Sequence, residues 1–118
     1  MIIQLKLTNF RNISGTDLEF SPRLNLIFGE NGMGKSNLLE SLYLCGFGRS
    51  FRGRSQQYVR FDEDFARIDA ENPQAEKIQF IILPDGQKNI MLNNTKISRF
   101  SKLLGKFPII YILSLIHI

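Results

Sequence analysis

Apolar and polar residues alternate along residues 3–8, which is the period of a strand with one buried face. Residues 12–15 are typical of a turn, and residues 16–20 favour a second short strand that pairs back on the first. The apolar run LNLIF, residues 24–28, is typical of a buried central strand. The chain is therefore predicted to begin with an antiparallel strand pair followed by a buried strand.

The pattern changes to a helical period from Lys35 onward. Apolar residues and a glycine then recur at helical spacing, at Leu38, Leu39, Leu42, Tyr43 and Gly46. The polar residues predicted for the other side of this helix are Asn37, Glu40 and Ser41. We expect the helix to end near Gly46, because glycine commonly terminates helices. The single cysteine, Cys45, lies on this helix and is predicted to be a packing residue.

The second half of the chain is predicted to consist mainly of short strands. They span residues 58–61, 65–70, 77–83 and 88–92, and Pro84-Asp85-Gly86 is the clearest turn between them. Apolar residues then recur at a spacing that suits a short amphipathic helix, at Ile97, Phe100, Leu103, Leu104 and Phe107. Residues 107–112 are predicted to form the next buried strand.

A glycine-rich loop lies between the LNLIF strand and the predicted helix. Its residues satisfy the spacing G-x-x-x-x-G-K-[ST] of a phosphate-binding P-loop: Gly29, Glu30, Asn31, Gly32, Met33, Gly34, Lys35 and Ser36. A preceding strand and a following helix are the context that this motif requires. The alternative is a glycine-rich turn that caps a helix and happens to include Lys-Ser.

The residue types of the loop suit the binding of ATP, or of another nucleoside triphosphate, with Mg²⁺. Glycines leave room for backbone N–H groups to converge on phosphate oxygens, and the helix N-terminus presents further N–H groups and a positive dipole. Lys35 can reach the β and γ oxygens, and the Ser36 hydroxyl can ligate the Mg²⁺ that bridges them. The loop itself does not select a reaction.

The distribution of charge favours a polyanionic partner. The net charge is +4, and no acidic residue occurs between Glu40 and Asp62, where four arginines fall, at Arg49, Arg52, Arg54 and Arg60. No signal peptide is apparent, and the apolar residues 108–118 are too few for a membrane span, which takes about 20. A single cysteine fits a reducing compartment. We therefore expect a cytoplasmic protein without a membrane partner.

The residues around the loop carry a family resemblance. An Asn-Phe-Arg-Asn corner at residues 9–12, followed by LNLIFGENGMGKSNLLESLY, resembles the start of the ATPase heads related to ABC transporters and SMC proteins. The segment GFGRSFRGRSQQYVRF, residues 46–61, is similar to the RecF family of bacterial replication and recombination-repair proteins. The resemblance implies an α/β fold, namely the N-terminal part of an ABC/SMC-like P-loop ATPase head with an antiparallel β subdomain.

The same resemblance implies an ATP-dependent homodimer that binds single-stranded, gapped or duplex DNA. It also implies assistance in recombinase loading and SOS induction, together with other recombination mediators. Arg11 and Asn12 would lie near the nucleotide, on a corner above it, with a solvated turn as the alternative. Three basic residues would contact DNA phosphates, with an exposed basic loop as the alternative: Arg49, Arg52 and Arg54.

Two motifs that such an ATPase needs for hydrolysis do not occur in this sequence. No run of four aliphatic residues precedes an Asp-Glu pair, and no Ser-Gly-Gly or Ser-Gly-Gln signature is present. The acidic residues 62–64 follow only Val59-Arg60-Phe61. We therefore expect no hydrolysis by this chain alone and assign no catalytic residue. Two alternatives stay open: another SMC-like or ABC-type ATPase lobe, or a small nucleotide binder without turnover.

The end of the chain is predicted to differ in origin from the rest. Residues 113–118, LSLIHI, are the translation of the end of a transposase adapter used in sequencing libraries. We therefore expect residues 1–112 to belong to the RecF-like domain and residues 113–118 to be a tail that is not native. RecF-like chains are about three times longer, so the distal parts of such a head would be absent.

Overall fold

The structure is a computed structural model, and it describes residues 2–20, 35–47 and 58–97. It contains strands β1 Gln4–Phe10 and β2 Ile13–Glu19, helix α1 Lys35–Phe47, and strands β3 Ala66–Glu71, β4 Lys77–Ile82, β5 Lys88–Leu92 and β6 Thr95–Ile97. The strands form one sheet in the order β2-β1-β3-β4-β5-β6, and every neighbouring pair is antiparallel. The predicted strand at residues 24–28 lies outside the described residues.

One face of the sheet is apolar because the strand alternation is in phase across it. The register aligns a row of apolar side chains from β1 to β6: Leu7, Ile68, Phe80, Ile90 and Ile97. Helix α1 contributes Leu44 and Cys45 to the same buried core. The alternation predicted for residues 3–8 is confirmed for Leu5 and Leu7, which are fully buried, whereas Ile3 is only half-buried.

The hairpin turns show why the later strands fall where they do. The turn predicted at Pro84-Asp85-Gly86 is confirmed: Gly86 has a φ of 92° and donates its N–H to the Leu83 carbonyl over 2.8 Å. A two-residue loop follows at Asn93 and Asn94, whose φ angles of 50° and 67° are those of a type I′ turn. This turn reverses the chain directly into β6.

Strand β6 corrects one prediction, because Ile97 was expected to begin an amphipathic helix. Ile97 instead pairs with Ile90 in the sheet. The physical reason is the Asn-Asn pair, which tolerates the left-handed backbone that a tight hairpin needs. The rest of the predicted helix, the strand at residues 107–112 and the tail at residues 113–118 lie outside the described residues.

The corner between β1 and β2 also differs from its prediction. The turn was expected at residues 12–15, but it consists of Arg11 and Asn12, and β2 already begins at Ile13. The Phe10–Ile13 pair closes this short loop, with Arg11 in the left-handed region at a φ of 49°. Residues 58–61 do not form the predicted strand, because Val59 makes only an isolated bridge with Phe10.

Helix α1 begins at Lys35, as predicted, and extends one residue beyond Gly46. The predicted division of its faces is wrong for Glu40 and Ser41, which are fully buried. Ser41 can be buried because its hydroxyl donates a 2.6 Å hydrogen bond to the Leu38 carbonyl. The burial of Glu40 depends on an arginine from another element. The prediction that Cys45 is a packing residue is confirmed by its complete burial.

Candidate nucleotide site at the sheet corner

The predicted triphosphate site begins where the described helix begins. Lys35 and Ser36 occupy the first turn of α1, and that turn contains no acidic residue. The end of the helix that carries the positive dipole and the N–H groups without intrahelical partners therefore has no carboxylate in its first turn. The other loop residues lie outside the described residues: Gly29, Glu30, Asn31, Gly32, Met33 and Gly34.

Arg11 connects the β1–β2 corner to this helix. Its Nε donates to Oε1 of Glu40, and its Nη2 donates to Oε2 of the same carboxylate over 3.1 Å. The Glu40 side chain is completely buried, and the Arg11 side chain is 19% exposed. Two parallel, charge-assisted bonds from a planar guanidinium define the geometry of a pair more tightly than a single contact does. The corner is thus held against α1 by a buried ionic fork.

Asn12 makes a second connection to α1, one turn closer to the phosphate loop. Asn37 Nδ2 donates a 2.6 Å hydrogen bond to Asn12 Oδ1, and Asn37 lies in the first turn of the helix. The two corner residues therefore contact α1 at successive turns. The Arg11 side chain is therefore paired and largely buried, whereas Asn12 is exposed and lies beside the end of the helix where the phosphates are predicted.

The segment at residues 58–60 supports the corner from the other side. The Arg11 N–H donates to the Tyr58 carbonyl over 2.6 Å, and the Arg60 N–H donates to the Asn9 carbonyl over 2.8 Å. The Phe10 and Tyr58 rings stack with their centroids 5.6 Å apart. Arg11 Cζ lies 5.3 Å from the centre of the Tyr58 ring, within the range of a cation–π contact.

Sequence reasoning missed Glu40 and Tyr58 as parts of this site. A signal for Glu40 was present, because it is the one acidic residue among the thirteen of α1 and it follows two leucines. An acidic residue in an apolar helix is seldom fully buried without a partner. Tyr58 carried no comparable signal. It also lies near Lys88 Nζ, which is 5.5 Å from the ring centre, and burial lowers the pKa of Lys88.

Other groups in the described part of the chain do not form a competing site. Burial, with a smaller contribution from Asp69, raises the pKa of the Cys45 thiol from 9.0 to about 12, so this thiol is protonated and unreactive at neutral pH. A depression of about 330 Å³ lies on the outer face of the sheet, across from α1, where Lys6, Arg67 and Asp69 contribute to its lining. Within residues 2–20, 35–47 and 58–97, no three acidic, histidine or cysteine side chains cluster as metal ligands.

The three arginines predicted to contact DNA, Arg49, Arg52 and Arg54, lie outside the described residues. Arg54 precedes Tyr58 by four positions in the sequence, and the Tyr58 carbonyl accepts a hydrogen bond from the Arg11 N–H. None of the helices in the described ranges is long and apolar enough to cross a membrane.

Comparison with known proteins identifies the class to which this fold and corner belong. Residues 4–113 match the family described as AAA domain. A structure of an SMC ATPase, from work on ATP-driven dimerization and DNA-stimulated activation, superposes with a TM-score of 0.71 at 24% identity, covering 87% of this chain and 75% of that one. The chain belongs to the AAA domain family, and the predicted α/β fold, the N-terminal part of a P-loop ATPase head with an antiparallel sheet, is confirmed.

Within that class the similarity is to RecF. The DNA replication and repair protein RecF of Clostridium perfringens strain 13 is 35% identical over 113 residues, covering 92% of this chain and 31% of the relative. A structure of the recombination mediator protein RecF with ATP superposes with a TM-score of 0.78 at 36% identity, covering 89% of this chain and 30% of that one. The predicted RecF resemblance is confirmed, and the chain spans under a third of the length of these relatives.

Proposed function

We propose that this chain binds ATP with Mg²⁺ through residues 29–36, as part of a RecF-like protein of DNA replication and recombination repair. The observation that carries the proposal is the placement of Lys35 at the start of α1, directly after the glycine motif and next to a corner that bonds to the same helix. The similar RecF structure was determined with ATP, which supports the same ligand here.

Replacing Lys35 with alanine tests the nucleotide site. Lys35→Ala removes the mobile charge of the loop, and a hydrogen bond to a charged group contributes roughly 1.5–3 kcal/mol. We expect the dissociation constant for Mg-ATP to rise at least about tenfold in a titration with a fluorescent ATP analogue. Lys96→Ala is the matched control, because Lys96 is an exposed lysine on β6. Equal affinities of Lys35→Ala and wild type would contradict the proposal.

Mg²⁺ would be held by the Ser36 hydroxyl together with the phosphates of the nucleotide. Serine at this position supplies a neutral oxygen ligand, and the phosphate oxygens supply the charge that Mg²⁺ prefers. The measurement is the same titration with and without Mg²⁺, on wild type and on Ser36→Ala. We expect Mg²⁺ to tighten ATP binding in wild type and to have less effect in Ser36→Ala. Hydrolysis by this chain alone is not expected.

DNA is the second proposed ligand, bound by Arg49, Arg52 and Arg54. The proposal is supported by the run of arginines in a stretch without acidic residues and by the DNA-repair role named for the RecF relative. Replacing the three arginines together with glutamine should weaken binding and reduce the dependence of affinity on salt concentration, because fewer counterions would be released. An unchanged salt dependence would return these residues to the alternative of an exposed basic loop.

The proposal includes two further parts. The protein would form an ATP-dependent homodimer in the cytoplasm, and it would act with other recombination mediators in recombinase loading and SOS induction. The similar SMC structure comes from work on ATP-driven dimerization, which supports an ATP-dependent dimer. Sedimentation of the protein with and without Mg-ATP tests this part. We expect the dimer fraction to increase with ATP and not to increase in Lys35→Ala.

A further inference from the structure

We propose that Arg11 serves the nucleotide site as a positioning residue that acts through Glu40, and that it does not contact the triphosphate itself. This inference rests on the proposed function, since it assigns a role within the same site. It replaces the expectation that Arg11 lies against the nucleotide. The fork between Arg11 and Glu40 would hold α1, and with it Lys35, in register with the antiparallel sheet.

The first argument is the burial of Glu40. The carboxylate is completely buried and receives two bonds from Arg11, through Nε and Nη2. If Arg11 turned toward a phosphate, the buried carboxylate would lose the two bonds that Arg11 donates, and removing one partner of a buried ion pair is strongly destabilising. The Arg11 guanidinium also lies over the Tyr58 ring, which favours its present position. A move to the nucleotide would therefore be opposed on two sides.

The second argument is the rigidity of the corner that carries Arg11. The Arg11 N–H donates to the Tyr58 carbonyl, and the neighbouring Phe10 ring stacks on the Tyr58 ring. Arg11 has a left-handed φ of 49°, and a strained backbone of this kind persists where the surrounding contacts define it. A side chain that leaves such a backbone and ends in a two-bond fork has little freedom to change its target.

The third argument is the distance along the helix from the fork to the phosphate loop. Glu40 follows Lys35 by five positions, which corresponds to about 7.5 Å of helix rise. A helix transmits a displacement over this distance as a rigid body. Asn12 adds a second bond to Asn37, between the fork and Lys35. A change at the fork should therefore move the start of α1.

Two conservative variants separate positioning from direct contact. Glu40→Gln keeps the shape of the side chain but weakens the fork, and Arg11→Lys keeps the positive charge but loses the two-bond geometry. If Arg11 acts through Glu40, each variant should weaken Mg-ATP binding about tenfold, within the range typical of supporting groups around a site. If Arg11 contacts phosphate directly, Glu40→Gln frees its charge and affinity stays equal or becomes tighter. That result would overturn the inference.

A stability-matched control excludes a purely structural effect. Phe80→Leu removes buried volume on β4, which is separated from β1 by β3 in the sheet. Urea unfolding identifies conditions in which Phe80→Leu and Glu40→Gln are folded to the same extent. We expect Phe80→Leu to bind Mg-ATP like wild type under these conditions. An equal loss of affinity in both variants would overturn the positioning role.

The same titrations distinguish failure of this inference from failure of the proposed function. If wild type binds Mg-ATP, Lys35→Ala binds it at least about tenfold more weakly, and Glu40→Gln binds like wild type, the function stands and the inference is overturned. If wild type shows no saturable binding, both are overturned.

Should Glu40→Gln not fold, the double variant Arg11→Met with Glu40→Leu removes both charges together, which buried pairs tolerate better than the loss of one. We expect it to fold and to bind Mg-ATP about tenfold more weakly, as in the single variants; binding equal to wild type would overturn the inference.

Discussion

Two arginines in this protein form the same fork with a carboxylate in very different surroundings. Arg11 and Glu40 are 29 positions apart, join the sheet corner to α1, and have side chains that are 19% and 0% exposed. Arg67 and Asp69 are two positions apart on the outer face of β3, and their side chains are 44% and 30% exposed. The atoms and the geometry are nearly equivalent, since Arg67 also uses Nε and Nη2 at 2.8 and 3.2 Å.

The difference shows how burial decides what an ion pair does. At the outer face, water and salt solvate both partners, so the fork adds little to stability. At the corner, the Glu40 carboxylate has lost its water and the Arg11 side chain retains only a small exposed fraction, so the pair connects two elements that are distant in the chain. The buried fork therefore defines how the β1–β2 corner lies against α1, whereas the exposed fork joins two side chains of the same strand and contributes little to the fold.

The largest expected effect comes from breaking the buried fork. Glu40→Ala leaves the Arg11 guanidinium against α1 without its carboxylate and opens a cavity. We expect the free energy of unfolding to fall by about 3–5 kcal/mol, as measured by urea denaturation. A loss below about 1 kcal/mol, the value for exposed pairs, would remove the contrast between the two forks.

A second test uses a buried group of α1 that has no ionic fork. Burial raises the pKa of the Cys45 thiol from 9.0 to about 12, so the folded protein retains this proton when the unfolded chain has lost it. Stability should therefore fall as the pH rises from about 9 toward about 12, and be unaffected by this thiol below that window. Between these pH values, the urea midpoint of wild type should fall more steeply with rising pH than the urea midpoint of Cys45→Ala. Parallel pH profiles would contradict the assignment.

A third test compares backbone strain at two turns. Ala75 has a φ of 63° in the turn between β3 and β4, and its side chain is exposed. Arg11 has a φ of 49°, and its side chain forms the ion pair with Glu40. Ala75→Gly should raise the free energy of unfolding by about 0.5–1 kcal/mol, because glycine adopts this conformation without steric conflict. Arg11→Gly should instead destabilise. Thermal unfolding of both variants checks the opposite signs.

The smallest effect is expected at the exposed fork. Arg67→Met removes the pair with Asp69 but leaves Asp69 with the 3.0 Å hydrogen bond from Gln79 Nε2. We expect a change of no more than about 1 kcal/mol in the free energy of unfolding, decreasing further at high salt. A loss as large as that of Glu40→Ala would show that exposure does not separate the two forks.

Local features of the sequence predicted much of the fold. The alternation at Leu5 and Leu7, the start of α1 at Lys35 and the turn at Pro84-Asp85-Gly86 depend on residues close in the chain, and each is confirmed. Strand β6 was missed although its signal was also local, since Asn93-Asn94 favours a tight hairpin. The apolar spacing from Ile97 onward outweighed that signal and predicted a helix.

The sequence by itself determined the alternating strands, the beginning of the helix and the P-loop pattern, because these depend on spacing along the chain. It could not determine whether the Glu40 side chain is buried, because the helical period placed this residue on the polar side of α1. Only the tertiary structure decided that Glu40 is buried, because the burial of a charge depends on a partner, and Arg11 on another element is one such partner. The pairing of distant residues, with the loss of their water, is the information that periodicity does not contain.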